Sequence, residues 1–349
     1  MKTEQLNYCL PSELIAQQPP AARSDSRLLV LNRPSGEVID SRFSKIGDFL
    51  LPQDCLVLND TKVLPARFFG RRSSKGKLEG LFVAEDKPGI WQVMLKGARK
   101  LTAGQTIYLK DKSQKDLCSA EILDKSAQGV SKLKISANED ARAILDKIGY
   151  PPLPPYIKRG TDLRQAQIGN KRYQTVYARH TGAIAAPTAG LHFTDELIDQ
   201  LKNRQVRFAC ITLHIGTGTF KPITTATVEQ HKMHSERFSI DKKNAQIINT
   251  AKEKGRRIIA VGTTSARTLE TVAVDSRVEA ASGTTDLFIR PGYEFKIVDA
   301  MITNFHLPKS TLLALVAAFA GLDNIRTAYH HAIDQRYRFY SYGDAMLII

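Results

Sequence analysis

The stretch "RRIIAVGTTSARTLETVA", Arg256 to Ala273, decides the fold. Its first half, Arg256 to Thr263, is a short apolar run of the kind that forms a buried strand, and "TSARTLETVA" returns to helical spacing. A strand feeding directly into a helix is half of a βα unit, so the spacing predicts a mixed or parallel sheet. The switch falls at Thr263, Thr264 and Ser265, with Arg267 in the first turn of the helix. Hydroxyls and free backbone N–H groups at a helix N-terminus suit a phosphate or carboxylate, and ordinary capping by Thr264 or Ser265 suits the same residues.

The pattern extends outward in both directions. Upstream, "VRFACITLHI" is a strand and "KNAQIINTAKEKG" an amphipathic helix closed by Gly255. Downstream, "VDAMITNF" is a strand, "STLLALVAAFAG" a buried helix, and "DNIRTAYHHAIDQRY" an amphipathic helix with Ile325, Tyr329, Ile333 and Tyr337 on one side. The last strand, "YGDAMLII", puts the C-terminus inside the sheet. At the other end, "RLLVLNRPSGEVIDSRF" is a hairpin about Pro34-Ser35-Gly36, and "CLVLNDTKVLPARF" is a strand broken at Asn59-Asp60.

From Ala66 to Ser136 the period becomes two. Short strands such as "LEGLFVAED", "IWQVMLKG" and "QTIYLK" are separated by Gly-containing turns, the pattern of a small closed or nearly closed barrel. A short helix over Glu139–Ile148 ends at Gly149, and the proline-stiffened "YPPLPPY" leads back out. The expected organisation is mixed α/β: residues 1–65 and 151–349 form a discontinuous α/β domain, interrupted by an inserted β-barrel at 66–150.

With 349 residues, 42% of them apolar, the chain can bury a substantial core. The N-terminus lacks the pattern of a secretory signal, and the longest apolar run, Thr311 to Leu322, is too short to span a bilayer. The expectation is a cytoplasmic protein without membrane contact. Cys9, Cys55, Cys118 and Cys210 include no C-x-x-C pair, which argues against a disulfide framework and a Cys-based zinc site.

Fifty Lys and Arg against 35 Asp and Glu give a net charge of +15, enough to hold a polyanion by counterion release. Residues 157–180 hold six basic residues and one acidic, with Tyr173 and Tyr177 among them; residues 66–150 hold 17 basic and 10 acidic. Arginine and tyrosine together suit phosphates and unstacked bases, so nucleic acid is the expected partner.

Histidines mark the junctions where chemistry is expected. His192 in "APTAGLHFTDEL" stands two residues before the N-cap Thr194, and Gly190 leaves room for a close backbone approach. "LHIGTGTFKPI" offers His214 with Gly216 and Gly218, but no third glycine completes a dinucleotide fingerprint. "EQHKMHSERF" holds His231, His234 and Glu236. On a helix the two histidines would share a face, yet H-E-x-x-H is absent, so proton transfer beside a carboxylate is favoured and no metal is expected. "ITNFHLPKSTLL" adds His306 between a strand and a helix. Such junctions on βα units converge on one crevice at the strand ends. On these residues alone, a non-catalytic nucleic-acid-binding module and a metal-dependent nucleotide hydrolase also stand.

Taken together, "YCLPSELIAQQP", "LVLNDTKVLPARFFG", "PLPPYIKR", "RYQTVYAR", "AAPTAGLHFT", "LHIGTGTFKPI", "EQHKMHSE", "IIAVGTTSARTLE", "FIRPGYEFKIVDAMITNFHLPKSTLLALVAAFAG" and "RYRFYSYGDAMLI" resemble the S-adenosylmethionine:tRNA ribosyltransferase-isomerases of queuosine biosynthesis, over nearly the whole chain. Departures are minor: Cys9 stands where an acidic residue is expected, and Ala314 replaces a larger apolar residue.

The resemblance implies transfer and isomerisation of the ribosyl part of S-adenosylmethionine onto 7-aminomethyl-7-deazaguanine at the tRNA wobble position. The product is epoxyqueuosine, and adenine and methionine are released. It implies no cofactor beyond S-adenosylmethionine as co-substrate, and a monomer is expected. On this reading His234 and His214 transfer protons, Glu236 orients them, and His192 and His306 surround the nucleoside. Gly190, Gly216 and Gly218 shape its pocket. Thr264, Ser265 and Arg267 hold the methionine carboxylate and Asp344 faces a cation. Arg67, Arg71, Lys158, Arg159, Arg172, Tyr173, Arg336 and Arg338 contact tRNA.

Overall fold

The computed structural model describes residues 1–98, 101–125, 129–154, 156–157, 172–216, 218 and 222–349. Lys158 and Arg159 therefore lie outside the described residues. The chain divides into two compact units, one of Met1–Lys62 with Pro154–Ile349 and one of Val63–Leu153.

The larger unit is built on one nine-stranded sheet. Its strands are β1 (Arg27–Leu31), β2 (Val38–Arg42) and β3 (Cys55–Asn59) before the barrel residues, and β10 (Arg207–Leu213), β11 (Glu236–Ile240), β12 (Ile258–Val261), β13 (Ala281–Thr285), β14 (Ala300–Asn304) and β15 (Ala345–Ile348) after them. Their order is β13-β11-β10-β3-β12-β14-β15-β1-β2. The centre, β10-β3-β12-β14, is parallel, with Ala209 opposite Val57, Leu56 opposite Ile259 and Ile259 opposite Ala300. Strand β15 runs antiparallel to β14 and parallel to β1, so the C-terminal strand is interior to the sheet as expected.

Strands covered on both faces need apolar residues at every position, and β3 and β12 are buried throughout. Their alternation sorts side chains into two layers. Cys55, Val57, Ile258 and Ala260 pack with helices α3 (Lys242–Glu253), α4 (Thr263–Thr271), α5 (Thr311–Ala320) and α6 (Leu322–Asp334). Leu56, Leu58, Ile259 and Val261 pack with Phe43, Phe193 and helix α2 (Asp195–Asn203). Helix α2 starts where its N-cap dictates: the Thr194 hydroxyl accepts the Leu197 N–H at 3.1 Å. The α6 stripe is shorter than its sequence pattern, because the helix ends at Asp334 and Arg336 takes a left-handed φ of 54°, leaving Tyr337 beyond it. Among the described residues no single helix is long and apolar enough to cross a membrane.

The smaller unit is a closed barrel of antiparallel strands: β4 (Arg67–Arg72), β5 (Lys77–Lys87), β6 (Ile90–Lys96), β7 (Thr106–Lys110), β8 (Asp116–Lys125) and β9 (Val130–Ile135), in the order β9-β6-β5-β4-β7-β8. Trp91, Phe68, Phe82, Ile107, Ile122 and Leu133 fill it, and α1 (Ala141–Ile148), capped by Asp140, adds Ile144, Leu145 and Ile148 to the same core. Gly80 is closely covered here: a Cβ at that position would come within 2.1 Å of the Phe68 ring, which would have to shift.

Candidate active site

A crevice opens at the carboxyl ends of β12 and β14. Its walls come from 185–189, Ile215, 262–264, 303–306, Leu312, Tyr340 and Ser341. Gly262, at φ 90°, turns β12 into α4, so Thr263 and Thr264 meet the crevice in the first turn of the helix with its unpaired N–H groups. Opposite, β14 ends in Thr303 and Asn304, and the chain continues into Phe305 and His306. This is the location that ligands take in open α/β sheets.

Two buried asparagines organise the walls. Asn304 Nδ2 donates to His192 Nε2 at 3.1 Å and to the Asp344 carbonyl at 3.3 Å, while its Oδ1 accepts from the Thr188 hydroxyl at 2.8 Å. Asn59, last residue of β3, donates to the Leu213 carbonyl and to Thr264 Oγ1, both at 3.1 Å, and accepts from the Leu213 N–H at 3.0 Å. Neither was singled out for chemistry in the sequence, although "CLVLND" and "MITNF" each end a hydrophobic run on a buried polar residue.

Of the histidines, only His306 lines the crevice. Its Nε2 is 2.8 Å from Thr303 Oγ1, its carbonyl accepts from Tyr8, and burial pushes its pKa down to about 3. His192 lies behind the wall rather than in it. Its ring joins Ser26 Oγ at 2.7 Å to Asn304, rests against Phe43, and is lowered to about 3 by burial and by the charges of Arg338 and Arg23. It is a neutral supporting group. His214 is half-buried, with Nδ1 2.8 Å from Thr61 Oγ1; burial, then Arg237 and His180, lower its pKa.

Several expected roles are displaced by partners distant in sequence. Glu236 does not orient His234: its Oε2 pairs with Arg267 Nη1 at 2.5 Å, both side chains only 5–6% exposed, and its Oε1 accepts the Gly216 N–H at 2.8 Å. His234 is exposed and packs over Gly218, where a Cβ would lie 2.3 Å from the imidazole. His231 and His234 share no helical face, because the one-turn helix Val228–Gln230 ends before them. Arg267 therefore spends one nitrogen on Glu236 and another on the Leu287 carbonyl, leaving Nη2 buried without a hydrogen-bond partner among the described residues.

The Ser265 hydroxyl turns back to the Val261 carbonyl at 2.9 Å. Asp344 accepts the backbone N–H groups of Arg27 and Arg338 and lies 3.5 Å from the Arg338 guanidinium, so it pins the final turn. Gly190 does permit a close approach, but the approaching group is the Tyr177 hydroxyl, 1.9 Å from where a Cβ would be.

The proposed tRNA contacts also divide. Tyr173 is fully buried against Tyr342 and offers no face for a base. Arg172 holds the Ala21 and Pro20 carbonyls at 2.9 and 2.8 Å. Arg336 is exposed, and Arg338 lies 3.5 Å from Asp344 with about a third of its side chain in solvent. In the barrel, Arg67 pairs with Glu79 at 2.6 Å, and Arg71 pairs with Asp116 at 2.5 Å while covering the Tyr108 ring.

The sheet, its carboxyl-end crevice and the barrel belong to a known group of proteins: a family model described as "Queuosine biosynthesis protein" matches residues 3–348. The chain is a member of that family. Among its curated relatives, one from Francisella tularensis subsp. novicida is 47% identical over 348 residues, covering all of both chains. A second, from Thermoanaerobacter sp. strain X514, is 47% identical over 352 residues, again with full coverage. Both are named S-adenosylmethionine:tRNA ribosyltransferase-isomerase. The crystal structure of an S-adenosylmethionine tRNA ribosyltransferase from Thermotoga maritima is similar with a TM-score of 0.56 and 38% identity, covering 99% of this chain and 100% of that one.

Proposed function

We propose that the chain transfers and isomerises the ribosyl moiety of S-adenosylmethionine onto the aminomethyl group of 7-aminomethyl-7-deazaguanine at the wobble position of tRNA. The products are epoxyqueuosine-tRNA, adenine and methionine. S-adenosylmethionine is the co-substrate and no further cofactor is invoked.

One observation carries this reading: among the described residues the crevice at the strand ends has no Lys, Arg, Asp or Glu in its walls, and the histidine there is kept neutral by burial. A sulfonium ion brings its own positive charge, so a neutral wall of apolar side chains and hydroxyls admits it without like-charge repulsion. The chemistry needs a proton removed beside the sulfonium and a proton supplied to the departing adenine. His306, on the wall, and His214, half-buried with its pKa lowered by burial, are the imidazoles assigned to those transfers. Glu236 and Arg267 act together, fixing Gly216 and bracing the base of α4. Arg336 and Arg338 supply phosphate contacts.

The test is label transfer. S-adenosylmethionine carrying a radiolabelled ribose is incubated with the protein and tRNA bearing the aminomethyl-deazaguanine, and the digested tRNA is chromatographed. Label in a new nucleoside supports the reading; label remaining entirely outside the tRNA overturns it.

A further inference from the structure

We infer that the crevice reads a nucleobase edge through two threonine hydroxyls of opposite hydrogen-bonding sense, Thr188 as acceptor and Thr264 as donor, and that the base it reads is the adenine of S-adenosylmethionine. The inference rests on the function proposed above and names the subsite within it.

The sense of each hydroxyl follows from the asparagine behind it. A backbone carbonyl only accepts, so the atom of Asn304 lying 3.3 Å from the Asp344 carbonyl is its NH2 group. The same NH2 then donates to His192 Nε2, which leaves His192 Nδ1 as the N–H that meets Ser26. At the other end of the amide, Oδ1 carries no hydrogen, so the Thr188 hydroxyl 2.8 Å away must donate to it. A hydroxyl has one hydrogen. With that hydrogen committed to Asn304, Thr188 has only lone pairs left for a ligand.

Asn59 fixes the opposite sense. Its Oδ1 accepts the N–H groups of Leu213 and Thr61 at 3.0 and 3.2 Å, and its NH2 donates to the Leu213 carbonyl at 3.1 Å. The second hydrogen of that NH2 goes to Thr264 Oγ1 at 3.1 Å. Thr264 thus accepts from within the protein and keeps its own hydrogen to donate. In both cases backbone groups of fixed polarity decide the amide orientation.

The same walls carry the apolar side chains of Ala185, Ala186, Ile215, Phe305 and Leu312 beside their hydroxyls. That chemistry suits a flat heteroaromatic ring. Adenine matches it: its exocyclic amino group donates to Thr188, and a ring nitrogen accepts from Thr264. A 6-oxo purine puts lone pairs where Thr188 also has lone pairs, and a mismatched buried polar contact is rejected strongly.

The experiment is equilibrium binding by calorimetry, without tRNA, of S-adenosylmethionine and of its 6-oxo (inosyl) analogue. The proteins are wild type, Thr188→Val, Thr188→Ser and Thr264→Val, with thermal melting to verify that each is folded. Wild type should prefer the adenosyl ligand by roughly 10- to 100-fold, and Thr188→Val should lose affinity for it by about 10-fold and most of that preference. Thr188→Ser should restore both, and Thr264→Val should weaken S-adenosylmethionine by about 10-fold.

Unchanged binding in both valine variants with a raised KM for tRNA would overturn the inference and assign the crevice to the tRNA base. Weaker binding by Thr188→Val with the adenosyl-over-inosyl preference intact would overturn it as well, since a purely structural role does not touch that ratio. Either result leaves label transfer by the wild type intact, so this failure is distinct from failure of the proposed function.

Discussion

His192 and His306 are buried imidazoles lowered from 6.5 to about 3. Between those values the unfolded chain binds the protons that the folded chain refuses, so stability rises with pH there. The contribution is complete above about pH 6.5 and is lost as pH falls toward 3, with a slope of roughly 1.4 kcal/mol per pH unit for each histidine. Urea denaturation at pH 7 and pH 5.5 measures this, and His192→Gln should remove one histidine's share; stability that is flat over this range would contradict the neutral assignment. The Glu236–Arg267 pair makes a second prediction. Glu236→Gln strands a buried guanidinium and should cost about 3–5 kcal/mol, whereas replacing both residues with apolar ones of similar volume should cost less. None of these partnerships was legible from sequence spacing, because Glu236 meets a residue 31 positions away and His192 one 112 positions away.

Elements were far more legible than side-chain roles. The β3, β10, β12 and β14 strands, the α4 and α5 helices and the meander of the barrel all follow from apolar period, since burial on one or two faces is a local property of the chain. Side-chain geometry is not a local property where a loop decides it: the segment holding His231 and His234 lies off any helix, so helical spacing does not place the two rings together. Interleaved tyrosines misled in the same manner, since Tyr173 packs into the core beside basic neighbours. Glycine contacts test the elements directly. Gly80→Ala drives a methyl into the Phe68 ring inside the barrel and should destabilise the protein by about 1–3 kcal/mol, with β4 and β5 losing hydrogen-exchange protection first. Protection as in wild type would show that the ring has room to move.

At the scale of the whole molecule, the charge of +15 sets the terms of RNA binding. Charge at exposed arginines acts through counterion release, so Arg336→Glu should weaken tRNA binding and lower the slope of log K against log salt by about one or more, leaving S-adenosylmethionine affinity unchanged. An unaltered slope would remove Arg336 from the interface. The net charge suggested a polyanion from composition alone, but no feature of composition named the second substrate; the ordered motifs did, and the neutral crevice is compatible with a ligand that carries its own cation. The most direct measurement is adenine release from S-adenosylmethionine by the purified protein, with tRNA bearing 7-aminomethyl-7-deazaguanine and with unmodified tRNA. Release stoichiometric with tRNA modification, and only with the modified substrate, is the predicted result; no adenine release while tRNA remains bound would contradict the account and leave a binding protein in its place.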